Sequence, residues 1–431
     1  MNPELVHPAR QIVTIMDRIY AQGMTTTSGG NLSIREENGD LWITPRGTDK
    51  GSLTPKDIVQ VRPDGRVVGR HAPSVELPCH QLIYGARPDL RAIVHAHPPA
   101  LVAFSLARKR PDTALLPVAR LTCGEIGMAE YGLPGSTDLG EKIARAFAGG
   151  SSTVILENHG TMVGAEDLSR AFMAFETFDF CARLEIDADR IGTPTALDPD
   201  RLRLWDRGQP PDLDEFRPRG YASHEREARR EMCDLLRRAC DQDLFTSAHG
   251  SLSHRLDERS FIISPEGIDR RSTQPGDIVR IEDGRREAGK TPSRTVLLHR
   301  CIYDRHPHVG SIIVAHPLSL MAFAVTGERF DSRTIPESYI ILRDVVRLPF
   351  GCTFLEPEKA AAAFTREAPV ALVDHDCAIV TGGSLINCFD RLEVAEYSAR
   401  ALVACRSIGD VVRIDEKQVA AIDAAFEPPW T

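Results

Sequence analysis

A chain of 431 residues, 42% hydrophobic and 26% charged, is built to fold, and it exceeds what one ordinary core organises, so two or three domains are expected. The net charge of -9 comes without a basic block or an aromatic-interleaved basic stripe. This argues against a nucleic-acid partner, and a small anionic substrate would need a local cationic pocket. No apolar run approaches a membrane span, and the opening MNPELVHPARQIVTIMDRIY is charged at intervals rather than built as a signal peptide. The ten cysteines include no C-x-x-C pair. No membrane partner, a cytoplasmic location and buried free thiols are therefore expected, and a zinc-cysteine site is not.

In chain order, Leu5, Ile12, Ile15, Met16 and Ile19 recur at helical intervals and predict a helix over Glu4–Gln22. The turn TTSGGNLS (Thr26–Ser33) leads to strands near Leu32–Arg35 and Leu41–Thr44. Its N–H groups and Asn31 suit an anion nest or an ordinary tight loop equally well. ITPRGTD (Ile43–Asp49) is a strand end able to line the same pocket. A helix starts at Leu77, after the Pro-Ser turn of APSVELPCH (Ala72–His80). At its start, Glu76 is either a carboxylate suited to the helix dipole or a general base beside a metal, and spacing alone does not choose. A strand over Ala92–His95, a short helix from Pro99, a strand over Thr153–Glu157 and a closing helix from Glu166 follow. Helices alternating with strands imply a three-layer α/β/α domain.

The chemistry concentrates in AIVHAHPPALVAF (Ala92–Phe104) and VILENHG (Val154–Gly160). At i and i+2 on a strand, His95 and His97 point to one face. His159 stands just past another β-type run. Three imidazoles meeting at strand ends offer a divalent cation three nitrogens and leave a position open for substrate. A single histidine is more often a surface or hydrogen-bonded core residue, which is the reading given to His7, His71, His80, His224 and His299.

The pattern is written twice. Leu32 matches Leu252, Pro45 matches Pro265 and Gly47 matches Gly267 at an offset of 220; Ser74 matches Ser293, His80 matches His299 and His97 matches His316 at 219. So long a period means two whole domains. Between them, Asp198–Ser223 is rich in proline, glycine and charge and is expected to be an extended connector. The expected organisation is a domain over 1–205, a linker over 206–222 and a second domain over 223–431.

Taken in order, the Gly-Gly-Asn turn, the I-T-P-x-G strand end, the P-S-x-E helix start, the H-A-H strand and the N-H-G turn resemble the class II aldolase/adducin family. The resemblance covers nearly all of residues 1–195, with a weaker version over 224–405. It implies two tandem α/β/α class II aldolase-like domains, each with a central mainly antiparallel or mixed sheet. It also implies a metal-dependent lyase in which His95, His97 and His159 hold the cation, zinc first and manganese as the alternative, and Glu76 is the acid/base. Gly30, Asn31, Gly47 and Ser74 would line the anion subsite. In the family the metal holds the oxygens of an enediolate, so aldol cleavage of a sugar phosphate or sugar acid is expected. Decarboxylation of a keto or hydroxy acid is the alternative, and an adducin-like non-catalytic scaffold is the alternative of another class.

Two positions depart from the family pattern. Val75 stands where phosphosugar enzymes carry a second serine, and Arg46 where they carry a small threonine. A guanidinium suits a carboxylate, so Arg46 is expected to face the substrate anion. In the second copy His95 becomes Val314, Glu76 becomes Thr295, Asn31 becomes Ser251 and His159 becomes Asp376, while His316 stays and His375 stands nearby. That copy is expected to be catalytically degenerate and to act as wall and interface. Family members are cyclic tetramers with a tyrosine from a neighbour in each site. LLPVARLTC (Leu115–Cys123) has no tyrosine, whereas TIPESYIIL (Thr334–Leu342) has Tyr339. Tyr339 is therefore expected to be the proton donor in a homodimer that forms a four-domain ring, or in a higher homo-oligomer.

Overall fold

The computed structural model describes residues 5–206 and 211–426. The chain forms two compact units, Met1–Thr113 with Ala119–Arg183, and Ala114–Val118 with Leu184–Thr431. The first helix is Pro8–Ala21. It starts later than expected because His7 caps it, Nδ1 accepting the Ala9 N–H at 3.1 Å, and Pro8 fills the first turn, where a missing N–H costs nothing. Glu4, where the expected helix began, lies outside the described residues.

The first unit carries an eight-stranded sheet built from β1 (Asn31–Arg35), β2 (Leu41–Ile43), β3 (Val59–Val61), β4 (Val67–Val68), β5 (Ala92–Ala96), β6 (Ile126–Ala129), β7 (Thr153–Leu156) and β8 (Gly160–Ala165). Their spatial order is β4-β3-β2-β1-β5-β8-β7-β6, antiparallel except for β6 with β7. Alternation along β5 sends Ala92, Val94 and Ala96 to one face, against the helices Pro8–Ala21 and Leu168–Ile191. Ile93 goes to the other face, against Leu77–Ala86 and Thr137–Ala148. Helices on both faces complete the three layers. Both faces exclude water, so a polar side chain on β5 must find partners within the core.

The second unit repeats the plan with β9 (Glu215–Phe216), β10 (Ser251–Arg255), β11 (Ser260–Ile263), β12 (Val279–Glu282), β13 (Arg285–Glu287), β14 (Ser311–Ala315), β15 (Val345–Leu348), β16 (Val370–Val373) and β17 (Ala378–Gly382). Their order is β15-β16-β17-β14-β10-β11-β12-β13-β9. The segment expected to be an extended connector carries a helix, Pro199–Asp206, and then β9, which pairs parallel with β13. Two contacts hold it in place: Trp205 is buried with the Arg294 guanidinium 3.5 Å above its ring, and Glu215 pairs with Arg286. Composition shows neither contact, and residues 207–210 of the expected linker lie outside the described residues.

Under β13 the second unit buries a network of charges. The Glu287 carboxylate accepts from Arg229, Lys290 and the Tyr221 hydroxyl at 2.9, 2.6 and 2.6 Å. Burial raises the Glu287 pKa, but these donors outweigh it and hold the carboxyl at about 2. A folded pKa below the unfolded value contributes stability that is complete above the unfolded pKa and is lost as pH falls toward about 2. Glu287→Ala leaves Arg229 without that partner, and urea unfolding at pH 7 should show a loss of about 3–5 kcal/mol. The penalty should shrink as the parent is titrated through the acid range.

Candidate metal centre

β1 and β5 are neighbours with Asn31 opposite His95, and β5 pairs with β8 with His95 opposite Met162. Directly opposed residues share a face, so Asn31 and His95 meet. His95 is fully buried and its Nδ1 lies 2.9 Å from the Thr161 carbonyl oxygen. A carbonyl only accepts, so Nδ1 donates to it and Nε2 is turned toward His97 and Glu76. His97 sits just past the strand end, its N–H bonded to the Met24 carbonyl oxygen at 3.1 Å. Its ring lies between two glycines: a Cβ on Gly29 would stand 2.9 Å from His97 Nδ1, and one on Gly160 would stand 2.6 Å from its Cδ2. His159 occupies the β7–β8 turn, placed there by Asn158 in the left-handed region at φ 55°.

The three histidines place ligand atoms within 4.8 Å of one another. His95 Nε2 and His97 Nε2 are 3.2 Å apart, close to the roughly 3.3 Å edge of a tetrahedron whose centre lies about 2.05 Å from each nitrogen. Glu76 stands beside them, Oε2 at 3.1 Å from His95 Nε2 and Oε1 at 3.6 Å from His159 Nε2. Burial pushes the His97 pKa down to about 3 and the His159 pKa to about 4, helped in both by the neighbouring His95. Both rings are neutral at physiological pH, the form that binds a cation. Burial raises the Glu76 pKa, yet His95, the Asn31 amide and His159 together hold it at about 2, so Glu76 is a carboxylate. Three imidazole nitrogens gathered within 4.8 Å of one another and one carboxylate oxygen beside them fit a divalent cation by their chemistry.

The other expected site residues divide. Pro45 bridges Pro73, Arg46 N–H bonds to the Ala72 carbonyl oxygen at 2.9 Å and Ser74 N–H to that of Thr44 at 3.1 Å, which brings the loop of Arg46 and Gly47 beside Ser74 and Glu76. Gly30 has φ +71°, and a Cβ there would lie 2.8 Å from the His95 carbonyl oxygen, so glycine is required. Gly47, at φ +66°, and the Arg46 side chain are exposed. The Ser74 hydroxyl accepts the Glu76 N–H at 3.3 Å. Asn31 gives its amide to Glu76 Oε2 at 2.5 Å. Tyr339 lies in the second unit on the helix Pro336–Leu342, its hydroxyl donating to Asp423 at 3.3 Å.

Sequence reasoning passed over Lys50. It is buried, and its ammonium donates to the Pro45 carbonyl oxygen at 2.9 Å and to that of Thr48 at 3.4 Å, closing the loop that carries Arg46 and Gly47. Arg270 does the same for Pro265 and Ile268 in the second copy. That match at the 220 offset was the available signal.

The second copy has lost the centre. Val314 stands opposite Ser251, and the Ser251 hydroxyl contacts that of Thr295 at 2.8 Å where the amide of Asn31 meets Glu76 in the first. His375 takes the left-handed place of Asn158, at φ 54°, and its ring nitrogens face the Leu115 carbonyl oxygen at 3.1 Å and the Thr195 hydroxyl at 3.4 Å. Among the described residues, the trio of the first unit is the sole cluster of three or more histidine, cysteine or carboxylate side chains spaced to hold a metal.

Three imidazoles and a carboxylate on a mixed sheet define a metalloenzyme-type centre. The chain belongs to the family of the class II aldolase and adducin N-terminal domain, whose model matches residues 10–186 and again 230–403. The two matched regions agree with a tandem duplication, and the chain is a class II, metal-dependent aldolase-type enzyme. It is 32% identical over 197 residues to a 5-deoxy-D-ribulose 1-phosphate aldolase of Bacillus thuringiensis, covering 44% of this chain and 90% of the relative. An L-fuculose phosphate aldolase of Methanocaldococcus jannaschii is 31% identical, covering 41% and 94%. A 3-oxo-tetronate 4-phosphate decarboxylase of Cupriavidus necator is 33% identical, covering 40% and 81%. No helix among the described residues is long and apolar enough to cross a membrane.

Proposed function

We propose that the first unit is a divalent-metal carbon–carbon lyase, with zinc the expected ion and manganese the alternative, acting in the cytoplasm on a small anionic sugar phosphate or sugar acid. The supporting observation is the gathering of the His95, His97 and His159 ligand atoms within 4.8 Å of one another beside the Glu76 carboxylate. A cation held there would polarise a substrate carbonyl and stabilise negative charge on its oxygen. Glu76, an acceptor at neutral pH, takes or returns the proton on the adjacent carbon. Gly30, Gly47 and Ser74 offer backbone and hydroxyl donors to the anion, and the exposed Arg46 extends that edge. Incubating the metal-loaded protein with a panel of sugar phosphates and sugar acids tests the reading. An aldehyde product without gas supports the aldolase, and no product from any compound contradicts it.

A second reading, decarboxylation, is favoured by Arg46 at the anion edge and by the decarboxylase among the relatives; it predicts carbon dioxide. With either reaction Arg46→Ala should raise KM roughly 10- to 100-fold, the weight of one charged hydrogen-bond partner. An unaltered KM removes Arg46 from the substrate. The proposed assembly is a homodimer arranged as a four-domain ring, or a higher homo-oligomer, in which Tyr339 serves as proton donor. Tyr339→Phe should then lower kcat about 10²-fold at unchanged metal content, and full turnover would end that role.

A further inference from the structure

We propose that the second unit has turned its copy of the substrate pocket into a socket for the chain's own connector, with Trp205 as the side chain that fills it. The socket belongs to the second unit alone and stands whatever reaction the first unit performs.

Trp205 anchors the connector helix. Among the described residues of Pro199–Asp206 it alone is buried, at 6% exposed, whereas Arg201 and Arg203 face solvent and Leu202 and Leu204 are half-buried. A short helix with one buried ring is held by that ring, because a single well-seated tryptophan carries much of the energy of a small contact.

The residues that receive it stand at the corners of the pocket described in the first unit. His375 and Asn158 make the same left-handed turn, at φ 54° and 55°, so Asp376 takes the place of His159. Ser293 and Ser74 bond alike to the neighbouring loop, N–H to the carbonyl oxygens of Ser264 and Thr44 at 3.0 and 3.1 Å, so Arg294 takes the place of Val75. Glu266 takes the place of Arg46, its N–H bonded to the Thr291 carbonyl oxygen at 3.0 Å as that of Arg46 is to Ala72 at 2.9 Å.

Two of these replacements contact Trp205 and the third braces one of them. The Asp376 carboxyl hydrogen-bonds the Trp205 side chain. An indole N–H only donates, so the carboxyl accepts. The Arg294 guanidinium lies 3.5 Å from the ring centroid and donates to the Trp205 carbonyl oxygen at 3.1 Å. Glu266 accepts the Arg294 backbone N–H at 3.1 Å, and the Thr353 hydroxyl donates to Asp376. Valine at position 294 would supply neither the cation nor the donor. The exchanges that dismantled a metal site are therefore the ones that built the socket, and they give the degenerate copy a use for its pocket.

Trp205→Ala should empty the socket. The variant should melt roughly 5–20 °C below the parent, the scale for losing a large buried ring. Indole should bind the variant at one molecule per chain and restore part of the loss, while the parent binds none. Indole taken up equally by both chains, or by neither, overturns the proposal. Where the alanine variant fails to fold, nitrogen-15 labelling of the three tryptophans of the full chain decides. The indole signal missing from Trp205→Phe belongs to Trp205. In the parent its proton should exchange with water at least about 100-fold more slowly than that of free indole, and it should shift in Asp376→Asn. Exchange as fast as free indole, or a signal unmoved in Asp376→Asn, overturns the proposal.

Discussion

Glu76→Gln should lower kcat by about 10²- to 10⁴-fold, the range for loss of a positioned acid/base, while the purified variant keeps its full complement of metal. The side chain keeps its shape, and its amide oxygen can still accept from Asn31 at the 2.5 Å contact, so folding should be preserved. What is lost is a carboxylate held ionised by His95, Asn31 and His159 against the cost of burial. A glutamine variant that turns over like the parent would show that another group moves the proton. One that has lost its metal would show Glu76 to be chiefly a ligand.

His95→Ala should have the opposite signature. The ring is fully buried, fixed through Nδ1 to the Thr161 carbonyl oxygen, and places Nε2 3.2 Å from that of His97. Removing it leaves two nitrogens, and affinity for zinc should fall by more than the roughly 10- to 100-fold that outer partners contribute. Turnover should vanish with the metal. Added zinc at about 100 times its dissociation constant should stabilise the parent by about 2.7 kcal/mol and the variant far less, which thermal unfolding with and without zinc measures. Equal stabilisation of both would place the tight site elsewhere. His316→Ala should leave parent behaviour intact, because the second copy pairs that histidine with no comparable set.

Much of this was legible in the chain. The i, i+2 histidines became neighbours because β5 carries His95 and ends just before His97, and Pro99 and Leu77 began the helices expected of them. The duplication was legible because two copies of one pocket preserve their turns. Less visible were β3, β4, β6 and β8, which are short or, like Gly160–Ala165, carry glycines that dilute a β signature. The helix and strand inside the proline-rich connector were hidden because their partners, Arg294 and Arg286, lie about 70–90 residues further on. Asn31 was read with its own turn, as a nest residue. Its hydrogen-bond partners in the core, Glu76 and His80, come from the start of a helix more than forty positions away, and only the packing of that helix over the sheet makes them adjacent.

The central claim is that one cation sits on the imidazoles of the first unit beside Glu76. A crystal of the zinc-loaded protein, with anomalous scattering recorded across the zinc edge, addresses it directly. The expected result is one peak per chain, about 2.0–2.1 Å from Nε2 of His95, His97 and His159. A peak among His249, His316 and Asp376 instead, or no peak near the trio at full zinc loading, would contradict it.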